Sequence, residues 1–214
     1  LGVFDAGISG KDWITENRVT VKEICELCYA KHGLKPVKIV VAVPENSKIT
    51  SLKDLNGKIV ATELVNLTKD YFKKHNVHCN VEFSWGATEI KAGYLVDAIV
   101  EITETGATIL SHGLKIIDVI MESTPRFFAN KQAWENPWKK DKMEKIALLL
   151  NGALNALKKV GLKMNAKKKD IPLILKKLPA IKKPTISPLA TKDWYALETI
   201  IDKKEAKKII PELK

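Results

Sequence analysis

Val37–Val43 (VKIVVAV) is apolar, largely β-branched and without alternation, and Pro44 closes it. That pattern predicts a short strand buried on both faces. Lys58–Thr62, Ala98–Ile102 and Leu114–Met121 read as further strands, and Leu1–Ile8 as the end of a buried one. Val77–Phe83 alternates, and Phe127–Asn130 is short and extended. Ser51–Asp54 opens a turn or short helix that ends at Gly57, and Leu67, Tyr71 and Phe72 fall at helical spacing within Leu67–His75. The longest helix is expected over Asn136–Val160, where Ile146, Leu149, Leu150, Ala153, Leu154 and Leu157 form one apolar stripe. Pro137 suits its first turn. Strands alternating with helices predict an α/β fold with mainly parallel pairing.

After Gly161 the pattern changes. Leu162–Ala166 reads as a strand, Asp170–Leu178 as a helix, Thr185–Leu189 and Tyr195–Ile201 as strands, and Lys203–Lys214 as a helix, with Pro179, Pro184 and Pro188 as punctuation. A domain boundary is therefore expected near Val160, dividing residues 1–160 from a small α+β module at 161–214. No segment repeats, which excludes a solenoid.

Charge sharpens this division. The 214 residues carry 36 Lys+Arg against 25 Asp+Glu. Residues 1–157 hold 20 basic and 19 acidic groups, whereas residues 158–214 hold 16 and 6. All the basic groups of that last quarter are Lys. Arg is the residue for bidentate phosphate and guanine recognition, and Lys runs such as Lys167–Lys169 mark a solvated face, so no nucleic-acid partner is expected. No apolar run approaches the roughly 18 residues of a membrane span. Three cysteines make no disulfide framework and fit a reducing, cytoplasmic compartment.

The chemistry concentrates in Asp97–Thr108 (DAIVEITETGAT). Regular alternation would put Asp97 and Glu101 on one face of a strand. The following turn offers three Thr hydroxyls and a Gly, the makings of an anion nest at a helix start. A phosphate monoester suits it, with the acids reaching sugar hydroxyls or a metal; the plain alternative is a Thr-capped strand-to-helix turn. Gly7–Asp12 (GISGKD) reads as a tight Gly-rich turn and lacks the P-loop spacing. Trp85–Glu89 (WGATE) is another small-residue turn at a strand end. Such turns line the ligand crevice of open α/β sheets. Cys25–Cys28 has CxxC spacing but no second ligand pair, and Ile24, Leu27 and Cys28 read as a buried helix face. His75, His78 and Cys79 likewise lack partners, as do His32 and His112. The absence of a GxSxG elbow and of HExxH argues against covalent hydrolases and zinc proteases.

In these segments the chain resembles the ATP phosphoribosyltransferase family in its long, allosteric form. The resemblance rests on GISGKDWITE (Gly7–Glu16), VAVP (Val41–Pro44), KIVATEL (Lys58–Leu64), WGATE (Trp85–Glu89), Asp97–Leu110, GLKII (Gly113–Ile117), LKMNA (Leu162–Ala166) and LPAIKKPTISPL (Leu178–Leu189). It implies a two-lobed catalytic unit of the periplasmic-binding-protein kind over residues 1–160, with a ferredoxin-like or ACT-like regulatory domain behind it. The implied reaction joins ATP to phosphoribosyl pyrophosphate (PRPP), the first step of histidine biosynthesis, with Mg²⁺ assisting and no side-chain nucleophile. By position, Glu104, Thr105, Gly106, Ala107 and Thr108 would cradle the ribose 5-phosphate, Glu104 through its backbone alone. Glu101 would hold ribose hydroxyls, Glu89 would join it near the metal, and Asp5 would lie on the adenine side. Asn165, Ile181, Thr185 and Ile200 would bind histidine as inhibitor in a homo-oligomer, a dimer or hexamer. The family pattern also implies strands before Leu1 and one after Lys214, so both ends read as cut. A two-lobed solute-binding protein for a small anion, without catalysis, is the alternative.

Overall fold

A computed structural model describes residues 3–29, 35–178 and 184–213. His32 and Ile181 lie outside them. In chain order the elements are β1 (Ala6–Gly10), α1 (Lys11–Glu16), β2 (Lys22–Glu26), β3 (Val37–Pro44), β4 (Ile59–Thr62), α2 (Val65–Lys74), β5 (Asn80–Phe83) and α3 (Thr88–Lys91). They continue with β6 (Ala98–Thr103), α4 (Ala107–Ser111), β7 (Leu114–Ser123), β8 (Pro125–Ala129), α5 (Lys131–Glu135) and α6 (Pro137–Leu157). The last are β9 (Lys159–Lys167), α7 (Ile171–Lys177), β10 (Thr185–Pro188), β11 (Trp194–Asp202) and α8 (Lys203–Ile209). The chain divides into two compact units, residues 1–148 and 149–214.

The first unit contains a five-stranded sheet, β5-β4-β6-β3-β7, and a three-stranded sheet, β1-β8-β2. β3 lies inside the larger sheet, and Ile39, Val40, Val41, Ala42 and Val43 are all fully buried. Both faces are covered, which is why this strand shows no alternation. Ile39, Val41 and Val43 pack on one side with Val60, Leu64, Phe72 and Val100; Val40 and Ala42 pack on the other with Ala61, Ile99 and Ile109. The expectation of mainly parallel pairing is corrected. β4 runs parallel to β5 and β6, but β3 is antiparallel to β6 and β7, and β8 is antiparallel to β1 and β2. β7 passes through Thr124 directly into β8, so one extended stretch serves both sheets.

Two local expectations fail. Gly7–Gly10 is extended strand, and the chain turns into α1 only at Lys11. Gly7 faces the Phe128 ring, and Gly10 is needed for space, as an added Cβ would sit 2.1 Å from Asp12 Oδ1. The region around Cys25 is β2, not a helix, because antiparallel pairing to β8 overrides the apolar spacing of Ile24, Leu27 and Cys28. None of the three cysteines forms a disulfide.

The second unit holds the sheet β10-β11-β9, antiparallel throughout, with α7 between β9 and β10 and α8 after β11. Leu197, Ile201, Ala166, Ala206 and Ile209 are buried. α6, which ends in this unit, keeps its apolar stripe exposed in good part, with Leu149 at 73%.

Candidate functional site

Three parallel neighbours, β5, β4 and β6, end at one edge of the large sheet. From that edge leave Glu63, the loop 84–89 and the loop 104–108. Carboxyl ends of parallel strands are where open α/β sheets gather ligand groups.

The loop after β6 folds on its own hydroxyls. The buried Thr103 accepts the Gly106 N–H at 2.8 Å, and Thr105 Oγ1 accepts the Ala107 N–H at 3.3 Å. Gly106 adopts φ +81° to start α4. A side chain there would strain the backbone, although its Cβ would meet only Ile116 at an ordinary 3.7 Å. Ile109 is buried and anchors the helix, while Thr105, Ala107 and Thr108 are exposed. A hydroxyl that accepts from the backbone still has its proton to donate, so Thr105 can serve an anion without breaking its own turn.

The loop after β5 is held differently. Lys91 Nζ donates to Ser84 Oγ at 2.6 Å, and Ser84 Oγ lies 3.2 Å from Thr88 Oγ1, with both hydroxyl residues buried. Gly86 and Ala87 both take left-handed backbone, φ +67° and +49°. For Ala87 this costs about 1–2 kcal/mol, strain concentrated where the loop turns its small residues outward. Trp85 stands 81% exposed beside it.

Acids line the wall between these loops. Glu101 is half-buried on β6, and its carboxylate accepts the Ile102 N–H at 3.0 Å. Burial raises its pKa above the usual carboxylate value; the Ile102 N–H opposes that, and the neighbouring charges of Glu89 and Glu63 raise it further. Glu63 accepts the Gly86 N–H at 3.3 Å, which ties it to the loop after β5. Glu63, Ser84 and Lys91 were not singled out from sequence. The visible signal was an acid directly after a buried strand in KIVATEL.

Asp97 does not join this wall. It sits at the opposite end of β6, accepts the Ile59 N–H at 3.0 Å and pairs with Lys58 at 3.1 Å. The Ile59 bond, aided by Lys58, holds its carboxyl below the ordinary value against a smaller burial effect. The shared face for Asp97 and Glu101 is thereby corrected in role: one acid anchors the strand and the other faces the site. Asp5 belongs to the three-stranded side, where its carboxylate meets Lys139 at 2.7 Å and its carbonyl accepts the Asn130 N–H.

Among the described residues no group of three or more His, Cys, Asp or Glu is arranged to hold a metal ion by itself. That covers the CxxC pair.

In the second unit, register places Asn165 opposite Ala196 and Thr185 opposite Glu198, with Ile200 opposite Gly161. Opposed residues share a face, so Asn165, Thr185 and Ile200 all stand on the exposed face of this sheet, which also carries the Lys163–Glu198 pair at 3.0 Å. A groove of about 760 Å³ follows the β9 edge beside α7 and shares Asn165 with that face, with Lys167, Asp170, Lys177 and Trp194 also in its lining. Thr185 and Ile200 are not part of it.

The sequence model of ATP phosphoribosyltransferase matches residues 1–152, and that of the HisG C-terminal domain matches residues 156–214. The ATP phosphoribosyltransferase of Chlorobium chlorochromatii is 52% identical over 214 residues, covering 100% of this chain and 73% of the relative. That of Thermodesulfovibrio yellowstonii is 52% identical over 213 residues, again covering 73% of the relative. Among solved structures, the ATP phosphoribosyl transferase (HisG:HisZ) complex from Thermotoga maritima aligns with a TM-score of 0.62 at 25% identity, over 72% of each chain. With both sequence models matched and half of its residues shared with full relatives, this chain belongs to the ATP phosphoribosyltransferase family, in the form that carries the C-terminal domain.

Proposed function

We propose that the chain condenses ATP with PRPP to phosphoribosyl-ATP and pyrophosphate, the entry step of histidine biosynthesis. The observation that carries this reading is the edge where Glu63, the strained loop 84–89 and the Thr105–Thr108 turn converge. N1 of ATP supplies an electron pair to C1 of the ribose, and the bond from C1 to the pyrophosphate oxygen breaks. Positive charge builds at the ribose carbon, so orientation and electrostatics carry the rate and no protein nucleophile is required.

In this reading Thr105 and Thr108 donate to the 5-phosphate, while Gly106 and Ala107 let it approach the start of α4. Glu104 contributes through its backbone. Glu101 accepts from ribose hydroxyls, and its negative neighbours Glu89 and Glu63 favour the developing cationic ribose. Glu101 and Glu89 are the carboxylates that would hold Mg²⁺ together with the substrate, since this cation is commonly bound by one or two carboxylates plus substrate phosphates. When bound it neutralises the leaving group. Asp5 lies toward adenine once its Lys139 partner exchanges.

We assign the second unit to regulation. Asn165, Thr185 and Ile200 form a candidate pocket for free histidine between copies of the chain, in a cytoplasmic homo-oligomer. The test of the whole reading is pyrophosphate release from PRPP, with ATP present or omitted and Mg²⁺ supplied or chelated. Release that needs both ATP and Mg²⁺ supports it; binding of PRPP without release, whatever the nucleotide, overturns it.

A further inference from the structure

α1 follows a strand of the small sheet and α2 a strand of the large one, and the Glu16 side chain joins them. Glu16 ends α1 and is only 8% exposed. Its Oε1 accepts the Asn66 N–H at 3.0 Å, and its Oε2 accepts the Leu67 N–H at 2.8 Å. The Asn66 side-chain amide donates back to the Glu16 carbonyl at 3.1 Å. α2 needs this partner. Its N-cap is Leu64, which makes no side-chain cap, so the first N–H groups of the helix have no local acceptor. A carboxylate brought from 50 residues away takes the place a Ser or Asp would fill. It also meets the positive end of the helix dipole. One helical turn further on, Arg18 grips Asp70 with bonds of 2.8 and 2.9 Å to its two oxygens.

The start of α2 is also the boundary of the candidate site. Glu63 lies two residues before Val65, and it accepts the Gly86 N–H of the strained loop. Thr62 Oγ1 accepts the Leu64 N–H at 3.0 Å, which leaves this short connection little slack. We propose that Glu16 is a positioning residue, a latch from the three-stranded side that fixes the start of α2 and through it Glu63 and the loop 84–89. It touches no substrate. The activity arm of its test rests on the function proposed above; the exchange arm does not.

The experiment compares wild type, Glu16→Ala and Glu16→Gln of this chain. Amide hydrogen exchange is followed at Asn66 and Leu67, and PRPP kinetics are measured with and without added sodium formate. Loss of a charge-assisted hydrogen bond should speed exchange at both amides by about tenfold or more. The KM for PRPP should rise by up to about a hundredfold, the cost of misplacing a site group by roughly 1 Å. Formate should enter the gap left by Ala and restore both readings, but not in Glu16→Gln, where the amide fills the space. A purely structural role would lower the melting temperature and the active fraction, with KM unchanged and formate without effect; that result, or unchanged exchange at Asn66 and Leu67, overturns the latch. If Glu16→Ala does not fold, Glu16→Gln decides by exchange and KM alone. If wild type turns over no PRPP, the function reading fails, and exchange still judges the link.

Discussion

The Ser123 hydroxyl donates to the Asp12 carboxylate at 2.5 Å, joining the end of β7 to the first turn of α1 across 111 residues of sequence. The Asp12 N–H donates to the same hydroxyl oxygen at 3.1 Å, and Asp12 is 3% exposed. The pair sits where the extended stretch leaves the large sheet for the small one. Ser123→Ala removes the donor and leaves a buried acceptor unsatisfied, which costs about 1–3 kcal/mol. Gly10→Ala attacks the same bond from the other side, since its Cβ needs the space of Asp12 Oδ1. Both variants should shift the urea midpoint down with an unchanged slope. The double variant should cost less than the sum, because both act on one bond. Additive losses would show that Gly10 and Ser123 serve separate features.

The phosphate turn gives a sharper separation of substrates. A hydrogen bond to a charged group is worth about 1.5–3 kcal/mol, so Thr105→Ala should weaken PRPP use roughly 10- to 150-fold and leave the KM for ATP nearly unchanged. Gly106→Ala should act on the same substrate through φ, because the left-handed backbone resists a Cβ. Initial-rate kinetics with each substrate varied in turn reads both. A matching loss for ATP would mean that the turn does not hold PRPP alone.

Glu101 should trade stability for activity. Its pKa in the fold lies above 4.5, with burial the largest cause. An acid so raised stabilises the fold when protonated; that stability is fully present below 4.5 and is lost as pH rises through the folded value. Glu101→Gln mimics the protonated form. It should therefore melt at a higher temperature than wild type near neutral pH, each kcal/mol giving roughly 2–4 °C in a chain of this size. The two melting curves should converge below pH 4.5. kcat/KM for PRPP should fall in the same variant. A Gln variant that melts lower at neutral pH would contradict the account of Glu101 burial.

The sequence made β3 legible because burial on both faces writes an uninterrupted β-branched run. It made the turn at Gly106 legible because the Thr residues and the Gly are adjacent along the chain. It misplaced Cys25 because a strand at a sheet edge, paired only to β8, carries an apolar pattern that equally fits one helical turn. It also puts Asp97 and Glu101 on one face and sends both toward a ligand, although a four-residue spacing along a strand of about 3.3 Å per residue separates them by roughly 13 Å. The acids that do neighbour Glu101 come from other segments, Glu63 just after β4 and Glu89 in α3. Such long-range neighbours, like Glu16 and Leu67, leave no local trace.

The exposed sheet face of the second unit carries the last test. Register puts Asn165, Thr185 and Ile200 on that face, spread over its three strands. Thr185 and Lys163 both oppose Glu198, the rung between those of Asn165 and Ile200. Free histidine carries an ammonium group, a carboxylate and an imidazole. Asn165 offers dipoles but no charge to the ammonium, whereas Asn165→Asp supplies a carboxylate of the same size. A hydrogen bond to a charged group should then tighten inhibition by about tenfold or more. Thr185→Ala removes a hydroxyl and should weaken inhibition, with PRPP and ATP kinetics near wild type. The opposite signs of these two substitutions matter more than their sizes: general damage to a small domain would loosen inhibition in both. Activity against histidine concentration reads the affinity, and light scattering in the same samples tests for the proposed oligomer. Because a ligand shifts an equilibrium only by binding one state better, histidine should also stabilise that oligomer. Inhibition indifferent to both substitutions would place the effector elsewhere.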